Sequence, residues 1–111
     1  MASKIAAILS GVYLLTSSVP ALAGDPVLGR EVAQKLCVNC HIVEPNGSEA
    51  PLNPDVVNPD VPSFMAIAEK PGQTESEVRG FLIDPHPPMP DPKLTAHELD
   101  NIASYIMSLK E

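Results

Sequence analysis

Lys35-Leu36-Cys37-Val38-Asn39-Cys40-His41-Ile42-Val43-Glu44 is the stretch that decides how this 111-residue chain is read. Two cysteines three positions apart suit a dithiol redox switch, half of a zinc site or a disulfide. A histidine directly after the second cysteine, C-x-x-C-H, points instead to a covalently attached haem. Two thiols one helical turn apart can add to the two vinyl groups along one haem edge, which sets His41 beneath the iron as an axial ligand. The rival readings need partners that the chain lacks. A thioredoxin-like dithiol calls for a βαβ context, and no strand pattern of any length is visible. Structural zinc takes four ligands, commonly in two paired sets; only His86 and His97 are available to complete Cys37 and Cys40, at unusual spacings.

Upstream of the motif, the first residues read as a leader. Lys4 is followed by the apolar run Ile5 to Leu15, then by Ser17, Ser18 and Pro20, and then by Ala21-Leu22-Ala23, a small-x-small cleavage signature. As a helix the apolar run would span roughly 16 Å, about half of a bilayer's hydrocarbon core. The expected organisation is a cleavable signal peptide over residues 1–23, cut after Ala23, and a single domain over residues 24–111. No stable membrane span is expected after cleavage.

Lys4 is the only charged residue of the leader, so the formal charge moves from −7 for the whole chain to −8 for residues 24–111. That balance argues against nucleic acid, whose phosphates need Lys and Arg, and favours docking onto a basic partner surface. A chain of this length buries only about 60–65% of its unfolded surface and wants a staple. It has no Trp, two Phe and two Tyr, and both cysteines sit in one motif, so no long-range disulfide supplies that staple. A large apolar cofactor would.

The pattern along the chain is helical. Asp25 and Pro26 read as an N-cap and first helical residue, and Leu28, Val32 and Leu36 form a stripe of apolar residues running up to Cys37. Pro45, Pro51, Pro54, Pro59 and Pro62 exclude a regular helix or central strand over 44–62. Residues 63–69 suit a short helix. Thr74-Glu75-Ser76-Glu77 is a capping box that opens a helix through Val78, Phe81 and Leu82. Pro85, Pro87, Pro88, Pro90 and Pro92 make a second stiff loop. Thr95-Ala96-His97-Glu98 is another capping box, and Leu99, Ile102, Ala103, Ile106 and Leu109 behind it give the clearest amphipathic helix. The fold expected is all-α with two proline-stiffened loops.

The sixth iron position has one best candidate. Met65 stands in an apolar stretch and Met107 on the last helix, where packing is the default. Met89 differs, because it stands in Pro87-Pro88-Met89-Pro90. Proline on both sides restricts the backbone and pushes Met89 toward an extended conformation, so a weak thioether ligand can be presented by the fold itself. His86, three residues earlier, is the rival; a bis-His site would have a lower potential than His/Met. Its ordinary reading is a surface loop histidine, and His97 is expected to face solvent.

At this point the sequence resembles the class I monohaem c-type cytochromes, from about Asp25 to Lys110. The matching features are Gly29 eight residues before Cys37, the Cys37-Val38-Asn39-Cys40-His41 motif, the Met89 loop and a final helix reading Leu99-x-x-Ile102-x-x-Tyr105-Ile106. The resemblance implies a cytochrome c-like fold in which the first and last helices cross around one covalently bound haem c. By position Gly29 would permit the close crossing and Tyr105 would supply the aromatic opposite it. The family usually has an aromatic four residues before the first cysteine; here Ala33 stands there, so a looser or differently filled contact is expected. The family also uses a proline carbonyl to accept a hydrogen bond from the axial histidine. Pro51 is the best candidate for that role, with Pro54 the other. Phe64 and Phe81 are expected against the haem or in the adjoining core.

The resemblance implies a periplasmic one-electron carrier of a respiratory chain, not an enzyme. In it Cys37 and Cys40 tether the haem, and His41 and Met89 ligate the iron. Partners would be redox proteins with a basic docking surface, met by a monomer or a weakly associated subunit. The alternatives are a haem protein with an open or labile sixth site, acting as a sensor or enzyme subunit, and, more remotely, a thiol-disulfide oxidoreductase.

Overall fold

Four helices make up the regular structure of the residues described by the computed structural model, 24–46 and 60–111, and no strand occurs among them. The expected leader and its cleavage point lie outside the described residues, as do Pro51 and Pro54. Helix α1 spans Pro26–Leu36, α2 spans Phe64–Glu69, α3 spans Glu75–Ile83 and α4 spans Ala96–Ser108.

Each helix starts where the sequence supplies an acceptor for its free amides. The Asp25 carboxylate accepts from the amides of Val27 and Leu28, and Pro26 opens α1 without a donor to satisfy. Ser63 caps α2 by accepting from the Ala66 amide. Thr74 and Glu77, and again Thr95 and Glu98, form complete capping boxes on α3 and α4. Such a cap is worth about 1 kcal/mol each, which matters in helices this short.

Helix α4 organises the rest. Helices α1, α2 and α3 all pack on it, and they make no comparable contact with one another. Its buried side chains are Leu99, Ile102, Ala103, Tyr105 and Ile106, with Ile102 and Ile106 fully enclosed. Burying an isoleucine contributes about 1.5–3 kcal/mol, so these two anchor the core.

The crossing of α1 over α4 is tight. The buried face of α1 is Gly29 and Ala33; of the apolar stripe, Val32 packs half-buried against the core, whereas Leu28 is 47% exposed and Leu36 51%. A β-carbon on Gly24 would lie 2.0 Å from the Asp100 carbonyl oxygen, and one on Gly29 would lie 1.9 Å from that of Asn101. Backbones this close leave room only for small residues beneath the crossing, so the leucines flank it. Ala33 is fully buried there, so of the two alternatives expected the contact is filled differently rather than loose.

Candidate functional site

Helix α1 ends in the turn that carries the two cysteines and the histidine. The amides of Cys40 and His41 both donate to the Cys37 carbonyl, at 3.2 and 2.9 Å, so one turn presents both thiols and the imidazole. Both thiols are free and half-buried, and the motif is flanked by exposed Leu36 and Ile42. Burial, with a smaller push from Cys40, raises the Cys37 thiol to about 11. A thiol that stays protonated at neutral pH is a poor nucleophile, which speaks against dithiol exchange. No group of three or more His, Cys, Asp or Glu among the described residues is placed to hold a metal ion, so the zinc reading has no ligand set there.

The His41 ring has a defined tautomer. Its Nδ1 lies 2.7 Å from the Pro62 carbonyl oxygen. A carbonyl only accepts, so Nδ1 donates, and in the neutral ring this leaves the lone pair on Nε2, the form that binds a metal. The expected partner was Pro51; the carbonyl found there belongs to Pro62. The reason is local pairing. The Phe64 amide donates to the Ile42 carbonyl at 2.9 Å, so 62–64 runs beside 41–42 and brings the Pro62 carbonyl to the ring. A sequence signal for this existed: Pro62 directly precedes Ser63, the N-cap of α2, which fixes its position.

Four consecutive residues are thus held by different parts of the fold. His41 is bound at Pro62, Ile42 at Phe64 and Val43 at Tyr105, whose hydroxyl donates to the Val43 carbonyl at 2.6 Å. The Glu44 carboxylate accepts from Arg30 Nε at 2.8 Å and from Gln34, both on α1. The Arg30 and Gln34 donors hold the Glu44 carboxyl below the usual carboxylate range. Burial, reinforced by Glu44, raises the Tyr105 phenol. The Phe64 ring stands between the other two rings, 5.6 Å from His41 and 6.2 Å from Tyr105, tilted to both.

Met89 is half-buried and packs against the core cluster. Its amide closes a turn onto the His86 carbonyl at 3.0 Å, so the loop presents Met89 from a turn rather than from the extended run expected. His86 is exposed, its ring edge-on to Phe81 at 5.4 Å. Of the two candidates for the sixth position, the methionine faces inward and the histidine outward. His97 is exposed, as expected. Phe64 is in the core, whereas Phe81 is 42% exposed and is not. A cleft lined by Leu82, Ile83, Asp91, Lys93, Leu94 and Leu99 lies between α3, the loop after Met89 and α4; none of the motif residues lines it.

The donor set fits a covalently held haem. Two free thiols on one turn, an imidazole with Nε2 bare beside them, and apolar side chains flanking that turn are what such a group requires. The comparisons agree. The Cytochrome c family model matches residues 26–110. Cytochrome c-552 of Bradyrhizobium diazoefficiens is 40% identical over 95 residues, covering 86% of this chain and 85% of that protein. No solved structure matches the chain. This chain belongs to the cytochrome c family, and as such it carries covalently attached haem c and transfers electrons to and from redox partners. No helix among the described residues is long and apolar enough to cross a membrane.

Proposed function

We propose that this protein is a periplasmic one-electron carrier of a respiratory chain, delivered by cleavage of residues 1–23 and working as the single domain 24–111. Cys37 and Cys40 would tether the haem through thioethers, and His41 Nε2 and Met89 Sδ would hold its iron. The observation that carries the reading is the His41 ring, bonded to Pro62 through Nδ1 so that Nε2 is left to ligate, on the same turn as both cysteines.

Bound haem c supplies an iron that alternates between the ferric and ferrous states. The chain does the rest. The Pro62 carbonyl orients the imidazole and raises its basicity. The turn closed by Met89 on His86 holds the thioether side toward the core. His/Met ligation raises the potential relative to bis-His. The net charge of −8 over residues 24–111 suits a basic docking surface on donor or acceptor, with an association rate that falls as salt rises.

The experiment is an optical spectrum of protein matured in a periplasm, taken oxidised and reduced, followed by acid extraction. Haem that stays on the chain, with the weak far-red sulfur-to-iron band, supports the carrier. Extractable or absent haem overturns it, and retained haem without that band that binds CO when ferrous favours an open sixth site.

A further inference from the structure

The Val43 carbonyl is buried, and its partner is a side chain from the far end of the sequence. The Tyr105 hydroxyl reaches it at 2.6 Å from α4. Tyr105 is itself placed by the helix crossing: a β-carbon on Gly29 would stand 2.8 Å from its Cβ, so the absent side chain on α1 makes its room. Val43 is two residues from His41, and the residue between them, Ile42, is bonded to Phe64. The segment that aims the His41 ring is therefore pinned at its far side by one phenol.

We propose that Tyr105 is a positioning residue for the His41 imidazole. Its hydroxyl, acting through the Val43 carbonyl, keeps the Nδ1–H of His41 on the Pro62 carbonyl and so sets how strongly the ring donates to iron. The proposal rests on His41 being an iron ligand. Removing the hydroxyl strands a buried carbonyl. That carbonyl turns to find another donor, carries Ile42 and His41 with it, and lengthens the bond to Pro62. A less firmly bonded Nδ1–H makes the ring a weaker donor, which favours ferrous iron.

A role confined to helix packing is separable from this one. Asn101 stands one turn earlier on α4, and its Oδ1 accepts the Asp25 amide at 2.8 Å. Asn101→Ala loosens the same crossing without touching residues 41–44. Tyr105→Phe keeps the ring and removes only the hydroxyl. Both holoproteins are compared with the parent for exchange of the His41 Nδ1 proton with solvent in the ferrous state by NMR, for reduction potential and for unfolding. In Tyr105→Phe the proton exchanges about tenfold faster, the net worth of roughly one hydrogen bond, and the potential rises. Asn101→Ala loses stability and leaves exchange and potential where they were. Unchanged exchange and potential in Tyr105→Phe, or equal shifts in both variants, would overturn the positioning role. A parent protein with no iron-bound imidazole would instead overturn the ligand assignment, and this proposal with it.

Discussion

The carbonyl oxygen of Asn101 sits 1.9 Å from where a β-carbon on Gly29 would be. The opposing atom is backbone, so no side-chain rotation relieves it, and the helices must separate. Gly29→Ala is expected to destabilise the protein by about 3 kcal/mol or more, at the upper end of overpacking. Gly80 is the internal control: it lies within α3, is exposed, and has nothing within 4 Å of its would-be β-carbon. Gly80→Ala is expected to stabilise by about 0.5–1 kcal/mol through helix propensity. Guanidinium unfolding of both variants checks the pair, and equal signs would contradict it.

Cys37 and Cys40 leave one turn side by side, so each tether should hold alone. After acid denaturation, a single Cys40→Ala chain is expected to keep the mass of haem in its spectrum. The double variant is expected to lose it.

Met89 faces the core and His86 faces Phe81 on the outside. Met89→Ala is expected to abolish the far-red band, to admit CO to the ferrous protein and to lower the potential by about a tenth or more of the ~0.8 V that axial ligation spans. His86→Ala is expected to leave band and CO exclusion intact. A titration of both variants with CO, read optically, decides it.

Arg30 and Gln34 lower the pKa of the Glu44 carboxyl in the folded protein. A carboxylate with a depressed folded pKa stabilises the fold above its unfolded pKa, and that stabilisation disappears as pH falls through the folded value. Glu98, held by Thr95, and Asp91, held by Lys93, act in the same direction. The gap in melting temperature between the parent and Glu44→Gln is therefore expected to be widest at neutral pH and to close below the carboxylate range. Melts from neutral to about pH 2 test the sign; a gap that widens on acidification would refute it.

What could be read from the sequence was what is settled locally. Asp25, Ser63, Thr74 and Thr95 act on amides two or three residues away, so the helix starts were legible without a partner. The cysteine–histidine turn was legible for the same reason. The buried face of α1 was not, because hydrophobic spacing favours Leu28 and Leu36 while the close approach of α4 selects Gly29 and Ala33. The Pro62 carbonyl was missed because it lies 21 residues from His41, with four other prolines (Pro45, Pro51, Pro54 and Pro59) in that stretch and no periodicity to choose among them. Phe81 was expected against the haem or in the adjoining core; the core alternative fails because Val78 and Leu82 take the inward positions of α3.

The dependence of α1, α2 and α3 on α4 sets an order of events in the making of the protein. A chain made from its N-terminus presents Cys37, Cys40 and His41 long before residues 96–108 exist. Until α4 arrives, Gly29 has no helix to lie against and the Val43 carbonyl has no phenol. The last helix therefore acts as a latch: its arrival fixes the backbone two residues beyond His41.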